Sequence, residues 1–444
     1  MNVDTTAVDD RGKIKSSKYT LYSDDGNLFP SREQRHWGDA LYLSYGEFLD
    51  IFQTSLVDDW QRDIHRITNP EFVEKVETVL PVRGILSELQ ALSNKTDFTE
   101  KELNHFKRFL FPVHVFGYNW LVDNAISAAQ LVKYIDKVIN TYKYQHGHGL
   151  AVEKVMLVTH SMGGLVARYA SQVLGAKDKI LGIVHGVIPD TGSPAAYRRM
   201  KTGAGKEGVP GMVLGGTAEK LMPVLAFAPG PLQLLPSPKY PPNWLKIEGE
   251  ESYPKTDPFE EIYLRNDVWW RLYEPDILDK DQVTIRKNEK YYTELMRDTV
   301  KTFMIDIEKG KYHPNTYVFY GEEVKSDGFL TWKKEIVKNP YTGQPVSPLY
   351  SPEPYGKIVH QPDGERCKYL LTQSDTAGDG TVPVESLDEI KKHPLLKGWL
   401  ATNVDHQDAY EISGPYPEKY SEAIKFTLQS IIKIVQEVDV HAAD

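Results

Sequence analysis

Between Phe111 and Val187 the chain alternates short β-branched runs with helical segments, and that alternation restricts it to one broad class of fold. Phe111–Tyr118 (FPVHVFGY), Lys154–Thr159 (KVMLVT) and Lys179–Val187 (KILGIVHGV) are the runs. Helical spacing fills the gaps, from Asn124 to Tyr142 and from Gly164 to about Leu174. Strand, helix, strand, helix, strand in this order predicts an α/β chain with a parallel sheet, because parallel neighbours need a crossover between them. Thr316–Tyr320 (TYVFY) and Trp399–Val404 read as further strands. A closing helix over 417–438 carries one apolar stripe of Ile424, Leu428, Ile431, Ile432 and Val435.

The pattern is interrupted in ways that suggest insertions into one core. Residues 1–36 are polar and read as a loosely attached arm, and 37–195 as the first part of the core, opening with Leu41, Tyr45, Phe48 and Phe52 at helical spacing. Residues 196–312 read as an inserted cap, with a long helix over Asn288–Glu308 stopped by Gly310. Between Leu221 and Pro242 stand seven prolines, which argues against regular structure there. Residues 313–324 return to a core strand, the Pro-, Tyr- and Lys-rich stretch 325–368 reads as a surface insert, and 369–444 complete the core.

Composition removes several function classes. The 444 residues carry 52 basic and 62 acidic side chains, a net charge of −10 that argues against a nucleic-acid partner. The single cysteine, Cys367, cannot form an internal disulfide. The most apolar stretch, Leu221 to Leu235, is broken by Pro223, Pro229 and Pro231 and is too short to span a bilayer. The start, MNVDTTAVDD, is acidic and unlike a cleavable signal. The expectation is a soluble chain, or one exported by a route that needs no such signal.

The sharpest chemical signal is Thr159-His160-Ser161-Met162-Gly163, where a strand meets a helix through small residues. A serine on such a tight turn has its hydroxyl exposed as a nucleophile, and the Met162 amide would face a developing oxyanion. A serine capping a helix is the bland reading. A nucleophilic serine needs a base and an orienting acid, in the order Ser, Asp or Glu, His for this turn. Asp379 in Gly378-Asp379-Gly380-Thr381-Val382-Pro383 and His406 in Asp405-His406-Gln407 supply that order, each at a predicted strand end. Alone, Asp379 would read as an Asp-Gly turn and His406 as one of 13 histidines on a loop.

These motifs (HSMGGLVAR, GDGTVP and DHQDAY), with Gly117-Tyr118-Asn119-Trp120 upstream, resemble lipases of the LCAT and PGAP1 group. Within it, Arg35-His36-Trp37-Gly38 with Tyr45-Gly46-Glu47-Phe48-Leu49, Pro189-Asp190-Thr191-Gly192-Ser193-Pro194, and Pro229-Gly230-Pro231 through Leu235-Pro236 are similar to the Tle4-like branch of bacterial type VI secretion phospholipase effectors. The resemblance covers roughly residues 35–435. It implies an α/β-hydrolase fold with a lid, Ser161 as nucleophile, Asp379 as acid and His406 as base. It also implies a lipid or phospholipid substrate met at a membrane surface, an immunity protein and a secretion-apparatus carrier as partners. The location implied is the producer cytoplasm and then the periplasm of a target cell. An ordinary cytoplasmic esterase, a catalytically impaired binding protein, and an amidase or acyltransferase are the rival readings.

Leu221, Met222, Val224, Leu225, Phe227, Leu232, Leu234 and Leu235 offer apolar surface for an acyl chain, or a small core of their own. The second oxyanion donor is expected from a strand preceding 112–118, for which only Val79–Gly84 is a weak candidate. Either an upstream segment outside this chain or the region 36–40 would then supply it. No cofactor is expected, since no glycine loop resembles a phosphate cradle. His146 and His148 lack a matching second ligand pair, and Asp375, Asp405 and Asp408 suggest calcium without further support. His160 is expected to be structural.

Overall fold

The computed structural model describes residues 29–40, 42–56, 99–145, 152–205, 216–278, 285–339, 341–347, 356–360, 366–412 and 421–439. In chain order its strands are β1 (Val155–His160), β2 (Ile180–Gly186), β3 (Leu245–Ile247), β4 (Ser252–Tyr253), β5 (Thr316–Gly321), β6 (Val324–Ser326), β7 (Leu330–Glu335), β8 (Gly356–His360), β9 (Arg366–Gln373), β10 (Thr376–Gly378) and β11 (Leu396–Thr402). β1, β2, β5 and β11 lie side by side in that order, all parallel.

Alternation along the strands explains why both faces are covered. In β2, Ile183 packs with Ala128, Leu131 and Ile135 of the helix Asn124–Asn140, and with Val166 and Ala167 after β1. Its neighbour Val184 faces the other way, toward Ile424, Leu428 and Ile431 of the helix Glu422–Val435. Side chains two apart share a sheet face, so one buried strand serves two helical layers. Each helix has a local cause: the Asp123 side chain accepts from Ala125 N, and that of Ser421 from Ile424 N. The closing helix approaches closely at Gly182, where an added Cβ would lie 2.8 Å from Ile434 Cγ1.

Four expectations need correction. Residues 111–118 join no ladder among the described residues, although their side chains alternate as a strand's would: Val113 and Val115 pack on one cluster, Phe116 and Tyr118 on the other. Side chains and one loop carbonyl satisfy the backbone instead, with Val115 N donating to Arg35 O at 2.9 Å. The Val113 carbonyl accepts from Trp37 Nε1 at 2.8 Å and Arg35 Nη1 at 3.1 Å, and Val113 N donates to Gln53 Oε1 at 2.8 Å. That also revises the loose arm, since Phe29 and Arg35 are fully buried in the fold; residues 1–28 lie outside the described residues, as do Leu41 and Val79–Gly84.

The stretch 325–368 is not a surface insert. β7, β8 and β9 join β3 and β4 in a five-stranded sheet ordered β4-β3-β7-β9-β8. Leu330, Trp332, Val359 and Cys367 are buried in the same core as Trp244 and Leu245. The proline-rich stretch, in turn, holds two short helices, Ala218–Leu225 and Pro229–Leu232, the second with Pro229 at its first position, where a missing N–H costs nothing.

Three histidines shielded from water, His185 fully buried and His114 and His160 partly so, make the fold acid-sensitive. Burial pushes His114 and His185 down to about 3, and His160 down to about 4. An unfolded histidine titrates near 6.5, so below that value the unfolded chain binds protons the folded chain refuses. The stability is complete above about pH 6.5 and is lost as pH falls toward the folded values, by about 1.4 kcal/mol per pH unit for each histidine. Urea unfolding at pH 7 and pH 5 checks this: the midpoint falls at pH 5, and equal midpoints would contradict it.

Candidate active site

β1 ends at His160 and the chain turns at once into the helix Gly163–Arg168, leaving Ser161 at the corner with φ 51°. Left-handed backbone is strained for a serine and persists only where neighbours over-determine it. Here Ser161 N donates to Gly186 O at 2.9 Å, at the end of β2, and Gly164 N donates back to Ser161 O at 2.9 Å. Thr159, two residues before the serine, does not crowd position 163: a Cβ there would stand 3.9 Å from Thr159 Cβ, an ordinary contact. Thr159 Oγ1 lies 3.1 Å from His185 Nδ1, and its carbonyl accepts from Tyr410 Oη at 3.0 Å.

Gly164 has no such room. A Cβ at that position would come within 2.5 Å of Ile188 Cδ1, on a side chain with 0% exposure. Gly164→Ala is therefore expected to destabilise the chain by about 1–3 kcal/mol. Urea unfolding of the variant measures this, and an unchanged midpoint would contradict it.

His406 follows β11 and Asp379 follows β10, yet both arrive at Ser161. His406 Nε2 lies 2.8 Å from Ser161 Oγ and Nδ1 lies 2.8 Å from Asp379 Oδ2. Asp379 and His406 are nearly inaccessible, at 1% and 4% exposure, while Ser161 is only half-buried. A hydroxyl, an imidazole and a buried carboxylate in this sequence make a path for a proton away from the serine. The acid's other oxygen, Oδ1, accepts from Thr381 N at 2.9 Å and Val382 N at 2.6 Å. Gly380 turns with φ 91°, and its N–H donates to Ser326 Oγ at 2.8 Å. β10 pairs with β6, which places Asp379 against the end of β5: a Cβ on Gly321 would lie 2.7 Å from that of Asp379. The chain thus leaves the core after β5, builds the second sheet, and returns the carboxylate to the same strand end.

Met162 heads the helix Gly163–Arg168, among the amides without a carbonyl partner inside it. The donor strand expected upstream of 112–118 falls, with Val79–Gly84, outside the described residues. The extended segment 111–118 ends near the helix start, where Tyr118 Oη would be 3.7 Å from a Cβ on Gly163. In the region 36–40, Asp39 packs closely on Gly117, where an added Cβ would lie 2.8 Å from Asp39 O.

Of the expected acyl-binding side chains, Leu221, Met222, Leu225, Leu232 and Leu235 are buried at 7% exposure or less in a core with Trp244, Tyr263 and Met296. That corrects their reading as acyl-facing surface. Val224 is exposed, and Phe227 and Leu234 are half-buried. Gln233 between them clamps the cap to the core, accepting from Asn124 N at 2.9 Å and donating to Asp123 Oδ1 at 2.6 Å.

Sequence reading passed over several supports of the site. Ser193 Oγ donates to Thr381 O at 2.7 Å and Arg199 Nη2 to Thr381 Oγ1 at 3.2 Å, so the helix Pro194–Thr202 steadies the acid's loop. Asp190 is fully buried, salt-bridged to Arg168 Nη1 at 2.6 Å, and accepts from Tyr312 Oη at 2.6 Å. Asp375 pairs with Lys325, Asp405 Oδ1 accepts from Gln407 N, and burial raises Asp408. Among the described residues no group of three or more His, Cys, Asp and Glu is placed to hold a metal ion; His146 and His148 lie outside them. No helix among the described residues is long and apolar enough to cross a membrane.

Comparison with known proteins agrees with this architecture. Residues 83–203 match the family model for a PGAP1-like alpha/beta domain. A chain of the crystal structure of the Tle4–Tli4 complex is similar at 26% identity, covering 82% of both chains with a TM-score of 0.65. EstA from Clostridium botulinum, at 14% identity over 71% of this chain and 76% of its own, has a TM-score of 0.25, too slight to argue from. No curated protein matches the chain.

Proposed function

We propose that this chain, which has the α/β-hydrolase fold and carries a PGAP1-like alpha/beta domain, is a serine-dependent hydrolase of carboxylic esters in lipids. One observation supports it above the rest: Ser161 Oγ, His406 and Asp379 form an unbroken chain with 2.8 Å at each link. Ser161 attacks the acyl carbon while His406 Nε2 takes its proton. The tetrahedral oxyanion is met by the Met162 amide, at the start of the helix that follows the nucleophile. His406 then returns the proton to the leaving alcohol, and water releases the acid from the acyl-enzyme by the same steps. Asp379 holds His406 with Nε2 free to act as base and favours its charged form.

Likeness to a chain of the Tle4–Tli4 complex supports the narrower reading of a phospholipase that acts as an antibacterial type VI secretion effector. On that reading a carrier of the secretion apparatus delivers it to a target periplasm, and an immunity protein neutralises it. Vesicles of phosphatidylethanolamine and phosphatidylglycerol, followed by mass spectrometry, test the substrate: lysophospholipid and fatty acid are expected, and intact lipids would contradict it. Expression directed to the bacterial periplasm tests the role, with lysis by the wild type and survival with Ser161→Ala.

A further inference from the structure

We infer that His160, together with Tyr45, is a positioning pair that holds the main chain of His406, so that the helix Tyr42–Ser55 helps aim the base at Ser161. This rests on the hydrolase reading and adds to the triad a part that its three residues do not contain. His160 Nε2 lies 2.8 Å from His406 O, and its Nδ1 lies 2.6 Å from Tyr45 Oη. A carbonyl oxygen only accepts, so Nε2 carries the hydrogen. The ring stays neutral, since burial pushes His160 down to about 4, and Nδ1 is then an acceptor for the Tyr45 hydroxyl. Burial also pushes Tyr45 up to about 12, so the hydroxyl keeps its proton. Every bond in the series therefore points the same way, from Tyr45 through His160 to His406.

The consequence is at the base. His406 N already donates to Asp379 O at 2.7 Å, so both of its peptide groups are held and the imidazole has little freedom to swing from Ser161. Without the Tyr45 hydroxyl, the other tautomer of His160 becomes accessible and turns a lone pair toward the His406 carbonyl. The helix is seated for this purpose by aromatic packing, with Phe48 4.7 Å from Tyr410 and the His160 ring 5.9 Å from the same tyrosine. A base displaced by about 1 Å can lose a hundredfold in rate without any loss of binding.

Inactivation of the full chain by a fluorophosphonate tests this, resolved into a maximal rate and a half-saturation concentration. In that reaction a Ser161 Oγ–phosphorus bond forms, fluoride leaves, and the serine proton passes to His406. Tyr45→Phe, which removes one oxygen, should lower the maximal rate about tenfold, and His160→Phe about a hundredfold, with half-saturation unchanged. His160→Gln places an amide N–H near the Nε2 position and should recover most of that loss. Thermal unfolding of each variant establishes that it is folded. Folded Tyr45→Phe and His160→Phe reacting at the wild-type rate would overturn the assignment, as would His160→Gln as slow as His160→Phe. A wild type that does not react overturns the hydrolase reading, and this one with it. A reactive wild type, silenced only by Ser161→Ala, overturns this one alone.

Discussion

Replacing His406 by alanine is expected to lower ester turnover by about 10⁶-fold, close to the effect of removing Ser161 itself. The two act as one unit: a serine hydroxyl 2.8 Å from an imidazole is a nucleophile only while that nitrogen can take its proton. His406→Ala keeps the Met162 amide and the turn at φ 51°, so substrate binding should persist while the chemical step collapses. The measurement is kcat and KM on a soluble ester with the folded variant. A fall confined to KM would mean that His406 only shapes the site.

Asp379→Asn is expected to cost about 10⁴-fold in kcat. The carboxylate oxygen Oδ2 receives Nδ1–H of His406 at 2.8 Å and so leaves Nε2 as the acceptor facing Ser161. An asparagine turned to donate there favours the other tautomer, with hydrogen on the nitrogen that must act as base. The backbone amides of Thr381 and Val382 still find the amide oxygen in place of Oδ1, so the loop should keep its shape. Unfolding midpoint and kcat measured together separate the two effects: a large fall in kcat with a small shift in stability is expected. A variant within about tenfold of the wild type would remove Asp379 from the proposed mechanism.

The parallel core was legible because its strands are short, β-branched and followed by helices, and because the triad's members stand at strand ends. The second sheet was not, for a physical reason that can be read in β7 and β9. Leu330 and Trp332, or Cys367, Tyr369 and Leu371, face inward at every second residue, but the intervening lysines and threonines make the stretch look like surface. The pairing of β3 with β7 is a tertiary event with no local trace. The segment 111–118 read as a strand but takes its hydrogen bonds from Arg35, Trp37 and Gln53 rather than from a ladder, partners that no local pattern reveals. The apolar cap residues divide in a way composition does not reveal: Met222 and Leu232 at 0% exposure build the cap's own core, while Val224 stays exposed. His160 meets Tyr45 in space, 115 positions away in sequence, and no spacing rule connects them.

The central claim is that Ser161 is an activated nucleophile, and the direct measurement is fluorophosphonate labelling of the intact chain with the modified peptide identified by mass spectrometry. A single adduct on the Ser161 peptide of the wild type, absent from Ser161→Ala, is the predicted result. A wild type that stays unlabelled, or one labelled equally in both proteins at another residue, would contradict it.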